Sequence, residues 1–393
     1  MKKVFLFSLF LVLGLVLSQC LPVWLGEAFL TAEKVAKTLM FVCLAFIMIN
    51  VGREFELDKT KWRSYAADYF IAMATAAVPW IMVAFYYMFL LPADLFGNWD
   101  AWKENLLLSR FAAPTSAGIL FTMLAAAGLR REWIYKTTQV LAIFDDLDTI
   151  LLMIPLQIFM IGFKWQLFAV VIVITFLLVI GWKKLGTIRL SQTWKSILFY
   201  AVCIVAVTES IYLLTKWMMG ADGAIHIEVL LPAFVLGMVM KTVHQHGNRD
   251  EKITGMISYL FMFLVGLSTP QFIGIDHGHR ITEAVGIIAA QPMPSWEVLI
   301  VHVIVVTLLS NLGKMFPLFF YRDRQLEERL ALSVGMFTRG EVGAGIIVIA
   351  MGYNLGGPAL IISVLSLVLN LLLTGGFVVI VKRLAQQAYG LKE

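Results

Sequence analysis

The stretch Arg110-Phe111-Ala112-Ala113-Pro114-Thr115-Ser116-Ala117-Gly118 lies in the middle of an apolar run, 104–127, long enough to cross a bilayer as a helix. Pro114 removes a backbone donor and Gly118 weakens a helix, so the segment predicts a span broken near its centre. Backbone freed at membrane depth is tolerated only where protein buries it or it lines a wet cavity. A second interruption of this kind, Gly335-Met336-Phe337-Thr338-Arg339-Gly340-Glu341-Val342-Gly343, falls inside the run 326–351. The apolar runs do not alternate with polar residues, so they read as helices rather than barrel strands. About twelve spans result, at 4–20, 36–53, 65–91, 104–127, 132–161, 165–182, 194–216, 225–240, 254–275, 296–321, 326–351 and 358–381. The broken runs are spans 4 and 11. An odd offset makes the second copy run in the opposite direction, the signature of inverted-topology repeats with a midplane site between discontinuous helices.

Composition fits this reading. Hydrophobic residues make up 60% of the 393 residues, charged residues 15%, and the mean hydropathy is +0.85. A soluble fold has too few charges here to cover its surface, so the bilayer is the solvent. Disorder, coiled coil, disulfide scaffold and nucleic-acid binding are excluded. The net charge of +5 belongs to loops instead. With the N-terminus in the cytoplasm, the inside loops collect Arg53, Lys59, Lys61 and Arg63, then Arg130, Arg131 and Lys136, and so on along the chain. The outside loops hold only Lys34, Lys37, Lys103, Lys164, Lys216 and Arg280. This bias puts both termini inside. The long outside loop Asp276–Ser295 is not a domain, so the chain reads as a single membrane domain, 1–393, with no soluble part. Cys20, Cys43 and Cys203 show no disulfide or metal spacing, and no cofactor is expected.

Three bases remain inside spans: Arg110, Lys314 and Arg339. Against them stand Asp145, Asp146 and Asp148 in the middle of span 132–161, and Glu341 at the second break. An acid at the bilayer centre opposes insertion by about 2.5–3.5 kcal/mol, too much for decoration. Neighbouring carboxylates repel, which suits a group that exchanges a proton for a cation. Asp145 and Asp148 share a helix face, and Asp146 points elsewhere. Lys314 either snorkels to the cytoplasmic edge or pairs with a span-5 aspartate. Arg339 and Arg110 are placed to neutralise carbonyls where helices break, with Glu341 as an arginine partner. If all seven face one cavity, one negative charge is left over, which a proton or a monovalent cation would balance. Oxygen ligands for a hard cation are at hand in Asp146, Thr115, Ser116 and the carbonyls freed by Pro114.

In this order the residues resemble a known family. Pro114-Thr115-Ser116, Phe144-Asp145-Asp146-Leu147, Gly313-Lys314 and Arg339-Gly340-Glu341-Val342-Gly343 resemble the monovalent cation:proton antiporter superfamily, especially its bacterial sodium/proton branch. Val51-Gly52-Arg53-Glu54-Phe55-Glu56-Leu57 and Phe263-Leu264-Val265-Gly266-Leu267-Ser268 are similar to two further segments of it. The resemblance implies a core with two crossed broken helices, here spans 65–161 and 296–381, and a remaining helix bundle that scaffolds and dimerises. It implies Na⁺ (or Li⁺) exchanged for H⁺ by alternating access in a bacterial inner membrane, serving pH and sodium homeostasis. Asp146 is then the ion- and proton-binding carboxylate, Asp145 the partner of Lys314, and Thr115 and Arg339 the residues at the breaks. The lysine implies electrogenic exchange. Asp148 is an acid outside the family pattern, and Pro317 stands where glycine is usual.

Three rival readings are weaker. A K⁺/H⁺ antiporter shares the same ligand chemistry. An organic-anion/sodium symporter seldom needs an intramembrane lysine facing paired aspartates. A polytopic prenyltransferase, suggested by Asp145-Asp146-x-Asp148, needs a second Asp-rich motif that the chain lacks.

Overall fold

The run 104–127 forms two helices rather than one. In the computed structural model, which describes residues 2–26, 28–54, 62–130, 132–161, 166–184, 186–219, 229–240, 248–268, 286–353 and 355–390, the chain is nearly all helical. The first helices are α1 (Lys2–Leu25), α2 (Ala28–Glu54) and α3 (Trp62–Phe89). The first broken span is α4 (Trp99–Ser109), a 3-10 turn at Arg110–Ala112 and α5 (Ala117–Ala126). There follow α6 (Trp133–Ile161), α7 (Gln166–Lys183), α8 (Trp194–Met219), α9 (Leu230–Val239), α10 (Asn248–Leu267) and α11 (Trp296–Gly313). The second broken span is α12 (Leu326–Gly335) and α13 (Glu341–Gly352), and α14 (Gly357–Tyr389) closes the series. No strand occurs among the described residues.

Local chemistry explains the ends. Asn98 caps α4 by accepting from the backbone N–H groups of Asp100 and Ala101. Ser116 caps α5 through Ile119 N–H at 3.4 Å. The Gln325 N–H donates to Glu328 at 3.1 Å at the start of α12. The expected span 296–321 is α-helical only to Gly313; Pro317 has no N–H to continue it, and a 3-10 turn at Phe316–Phe319 follows.

Among the described residues, six helical stretches are long and apolar enough to cross a membrane: Lys34–Arg53, Ala66–Phe89, Trp99–Ala125, Trp194–Met218, Trp296–Phe319 and Gly357–Tyr389. α11 shows the pattern expected in lipid. Its exposed face is Ile300, Ile304, Leu308 and Leu312, while Thr307, Ser310 and Asn311 are buried. Polar groups point inward and apolar ones outward, because hydrocarbon cannot hydrogen-bond.

The helices fall into two compact units. The first comprises Met1–Gly26, Trp62–Leu152 and Val265–Glu393. In it α14 packs against α1, α11 and α12, and α3 against α4 and α11. The second comprises Glu27–Lys61 and Met153–Leu264, with α2 packed on α8 and α9, and α7 on α9. Gly52 and Gly237 let α2 and α9 touch backbone to backbone: a Cβ on Gly52 would run into the carbonyl of Phe234, and one on Gly237 into that of Ile49. Gly237→Leu is therefore expected to destabilise the protein by more than about 2 kcal/mol through overpacking. The thermal midpoint of detergent-solubilised protein reads this, with Gly255→Ala, which meets nothing within 4 Å, as the neutral control.

Candidate functional site

The two interruptions meet inside the first unit. Residues 113–116 and 336–340 are non-helical, and each supplies hydrogen bonds that the other lacks. The Ser116 N–H donates to the Thr338 carbonyl at 3.0 Å, and the Thr115 hydroxyl donates to the Met336 carbonyl at 3.1 Å. Arg339 donates from Nη1 to the Pro114 and Met336 carbonyls at 3.3 and 3.2 Å, and from Nη2 to the Ser310 carbonyl at 3.4 Å. Its guanidinium is fully buried, so one fixed positive charge faces three carbonyl dipoles. Gly340 permits the contact, since a Cβ there would lie 2.7 Å from Ser116 Oγ.

α6 and α11 bring opposite charges to this junction. Lys314 Nζ lies 2.8 Å from Asp145 Oδ2 and 3.0 Å from Oδ1, and both side chains are 0% exposed. Full burial excludes the snorkelling reading of Lys314. The same Asp145 Oδ2 accepts the Thr115 N–H at 2.7 Å, tying the ion pair to the first break. Lys314 caps the C-terminus of α11, where the helix dipole favours a cation. Gly313 sets its position: a Cβ there would be 2.5 Å from Pro79 Cα, so only glycine lets the end of α11 reach the Pro79 bend of α3.

The other sequence candidates are placed as follows. Asp146 is buried and its charge acts on Lys314. Thr115 and Ser116 are buried in the first break. Asp148 lies one turn beyond Asp145 on α6, buried, and is hydrogen-bonded by the Tyr69 hydroxyl. Arg110 is fully buried, stacks on the Trp80 ring at 4.3 Å and donates from Nη2 to the Asp148 carbonyl at 3.1 Å. Glu341 opens α13, and its side chain lies outside the described residues. No cluster of three or more His, Cys, Asp or Glu with metal-holding geometry occurs among the described residues.

Sequence reasoning missed Tyr69 and Trp80, and it gave Gly313 no role beyond its place in the Gly313-Lys314 motif. Trp80 carried a signal. It sits mid-span beside Pro79, away from the interface positions that most tryptophans of the chain occupy, and its indole donates to the Leu106 carbonyl at 2.8 Å.

A family profile described as "Sodium/hydrogen exchanger, transmembrane" matches residues 2–385, nearly the whole chain. The chain belongs to the sodium/hydrogen exchanger family. No individual curated protein matches it. As a member of that family the protein is a multi-pass membrane cation/proton antiporter. Removing one partner of the ion pair leaves a buried charge alone. Lys314→Met is expected to destabilise the exchanger by about 3–5 kcal/mol, and Asp145→Asn combined with Lys314→Met to recover most of the loss. Thermal unfolding of the two single variants and the double variant measures this coupling.

Proposed function

We propose that the protein exchanges Na⁺ (or Li⁺) for H⁺ across a bacterial inner membrane by alternating access, with both termini in the cytoplasm and the chain working as a homodimer. The observation that carries this reading is the fully buried Lys314–Asp145 pair, 2.8 Å long, placed where the two broken helices meet. Asp146 takes either a proton or the cation, not both. Thr115 and Ser116 hydroxyls and the loosened backbone complete an oxygen shell of the kind small hard cations need. The cation also draws Asp145 away from Lys314, whose ammonium then gives up its proton. One positive charge binds as protons leave both Asp146 and Lys314, so each cycle moves net charge. Arg339 and Arg110 stay charged throughout and hold the interrupted helices, with Glu341 as a further counter-charge. The first unit carries the ion, and the second serves as scaffold and dimer surface.

Proteoliposomes loaded with a pH indicator test this directly. A Na⁺ or Li⁺ gradient is expected to drive proton movement that Asp146→Asn reduces to background; undiminished exchange in that variant sinks the assignment. K⁺ driving as well as Na⁺ would make the protein a K⁺/H⁺ antiporter instead. An imposed membrane voltage is expected to change the exchange rate, and an unchanged rate rules out electrogenic exchange.

A further inference from the structure

Away from the two breaks, another buried carboxylate is bound to backbone rather than to a cation. Glu104 lies near the start of α4 and is 8% exposed. Both its oxygens are taken by one short segment of chain. The Ile287 N–H donates to Oε1 at 3.1 Å, and the Ile288 N–H donates to Oε2 at 2.9 Å. The segment 286–291 is a tight turn. The Ala290 N–H donates to the Gly286 carbonyl at 3.3 Å, and the Gln291 N–H to the Ile288 carbonyl at 3.2 Å. The Gln291 side-chain amide adds a bond to the Ile287 carbonyl at 3.1 Å. Gly286 has φ +145°, and a Cβ there would lie 2.7 Å from Glu104 Oε1, so glycine lets the turn settle on the carboxylate. The other side of the turn rests on the start of α14. A Cβ on Gly357, at φ +75°, would lie 2.4 Å from the Ile288 carbonyl oxygen. Ile288 itself is buried between these supports.

The turn joins the two broken spans. α4 is the half of the first span that precedes its break. α13 is the half of the second span that follows its break, and it leads through 353–356 into α14. α4 packs against both α13 and α14, and all these residues belong to the first unit. On the topology proposed above, Glu104 and the turn lie on the outer side. An opening between α4 and α14 on that side has to break the Glu104 bonds or lift Ile288 from Gly357. The anchor is a pair of charge-assisted hydrogen bonds and one buried isoleucine, contacts that can break and re-form without unfolding a helix. We propose that the turn 286–291 is a latch on the outer side of the exchanger, with Glu104 as its catch, and that it lets go each time the site opens outward. Glu104 is then a positioning residue that takes no part in binding the cation. This rests on the alternating-access exchange proposed above.

Labelling of Ile288→Cys by a membrane-impermeant maleimide, added outside right-side-out vesicles, reads the state of the latch. Asp94→Cys, on the exposed 3-10 turn Ala93–Gly97, is the open control, and the protein with only its native Cys20, Cys43 and Cys203 gives the blank. At rest, Ile288→Cys is expected to react about tenfold more slowly than Asp94→Cys, or slower still. An imposed gradient of whichever of Na⁺ or K⁺ drives the wild type is expected to speed Ile288→Cys severalfold and to leave Asp94→Cys unchanged. Glu104→Ala combined with Ile288→Cys is expected to raise the resting rate about tenfold, and Glu104→Gln, which keeps one acceptor oxygen, by less. A permanent staple behaves differently. Equal rates at rest and during exchange overturn the proposal, and so does a resting rate indifferent to Glu104→Ala. If Glu104→Ala does not fold, Glu104→Gln takes its place in that comparison. If Ile288→Cys does not fold, Ala289→Cys on the same turn carries both comparisons. If no cation gradient drives the wild type, the exchange reading fails, while a resting rate raised by Glu104→Ala still supports the catch and an unchanged one still refutes it.

Discussion

A helix interrupted in hydrocarbon exposes N–H and C=O groups that lipid cannot satisfy, at several kcal/mol for each group left alone. That constraint organises the first unit. Residues 113–116 and 336–340 settle it by serving each other: Ser116 N–H to the Thr338 carbonyl, Thr115 hydroxyl to the Met336 carbonyl, and Arg339 to the Pro114 and Met336 carbonyls. Each break thus satisfies part of the other's freed backbone. The arginine that bridges them adds a buried positive charge, so the solution to a hydrogen-bond problem creates an electrostatic one. Asp145 answers it in part, since its charge acts on Arg339 and its carboxylate accepts the Thr115 N–H.

The Lys314–Asp145 pair follows a different logic. Taking an ammonium and a carboxylate out of water costs several kcal/mol per ion, and an apolar pair of equal volume would pack the helices as well or better. What the ion pair adds, and an apolar pair lacks, is a directional contact at the first break, since the same Asp145 carboxylate also accepts the Thr115 N–H. The surroundings keep the pair poised. The α11 C-terminus favours the cation, the Thr115 N–H favours the anion, and Gly313 lets the end of α11 come close to Pro79 of α3. Asp146, next in sequence but on another face of α6, is buried and its charge acts on Lys314.

Much of this was legible in the sequence, because membranes make exceptions conspicuous. Pro114 in an apolar run, glycines around Arg339 and three aspartates in one span all carry penalties that a sequence displays openly. The family's membrane fold and both interruptions follow from those residues alone. The contacts between distant segments were not legible. That Gly313 exists to clear Pro79, that Arg110 lies on Trp80, and that Tyr69 reaches Asp148 depend on how α3 packs, and no spacing rule spans those separations. The span 296–321 recurs as Trp296–Phe319, but its last turns were not legible as non-α: Pro317 makes them a 3-10 segment, so Lys314 sits at a helix terminus instead of within a helix.

α3 is the element that couples these features. Its Pro79 meets Gly313 beside the lysine, its Trp80 carries Arg110, and its Tyr69 holds Asp148. Towards its other end Tyr87 bonds Ser363 of α14 at 2.7 Å and Tyr86 bonds His302 of α11 at 2.8 Å. α11 and α14 are joined in turn by Thr307–Ser366 at 2.8 Å and Asn311–Asn370 at 3.0 Å. Moving α11 alone would break these bonds, and lipid offers no replacement partners. Such close-packed interfaces do not deform gradually. The helices that hold Lys314, the three aspartates and the two breaks contribute to the same compact unit.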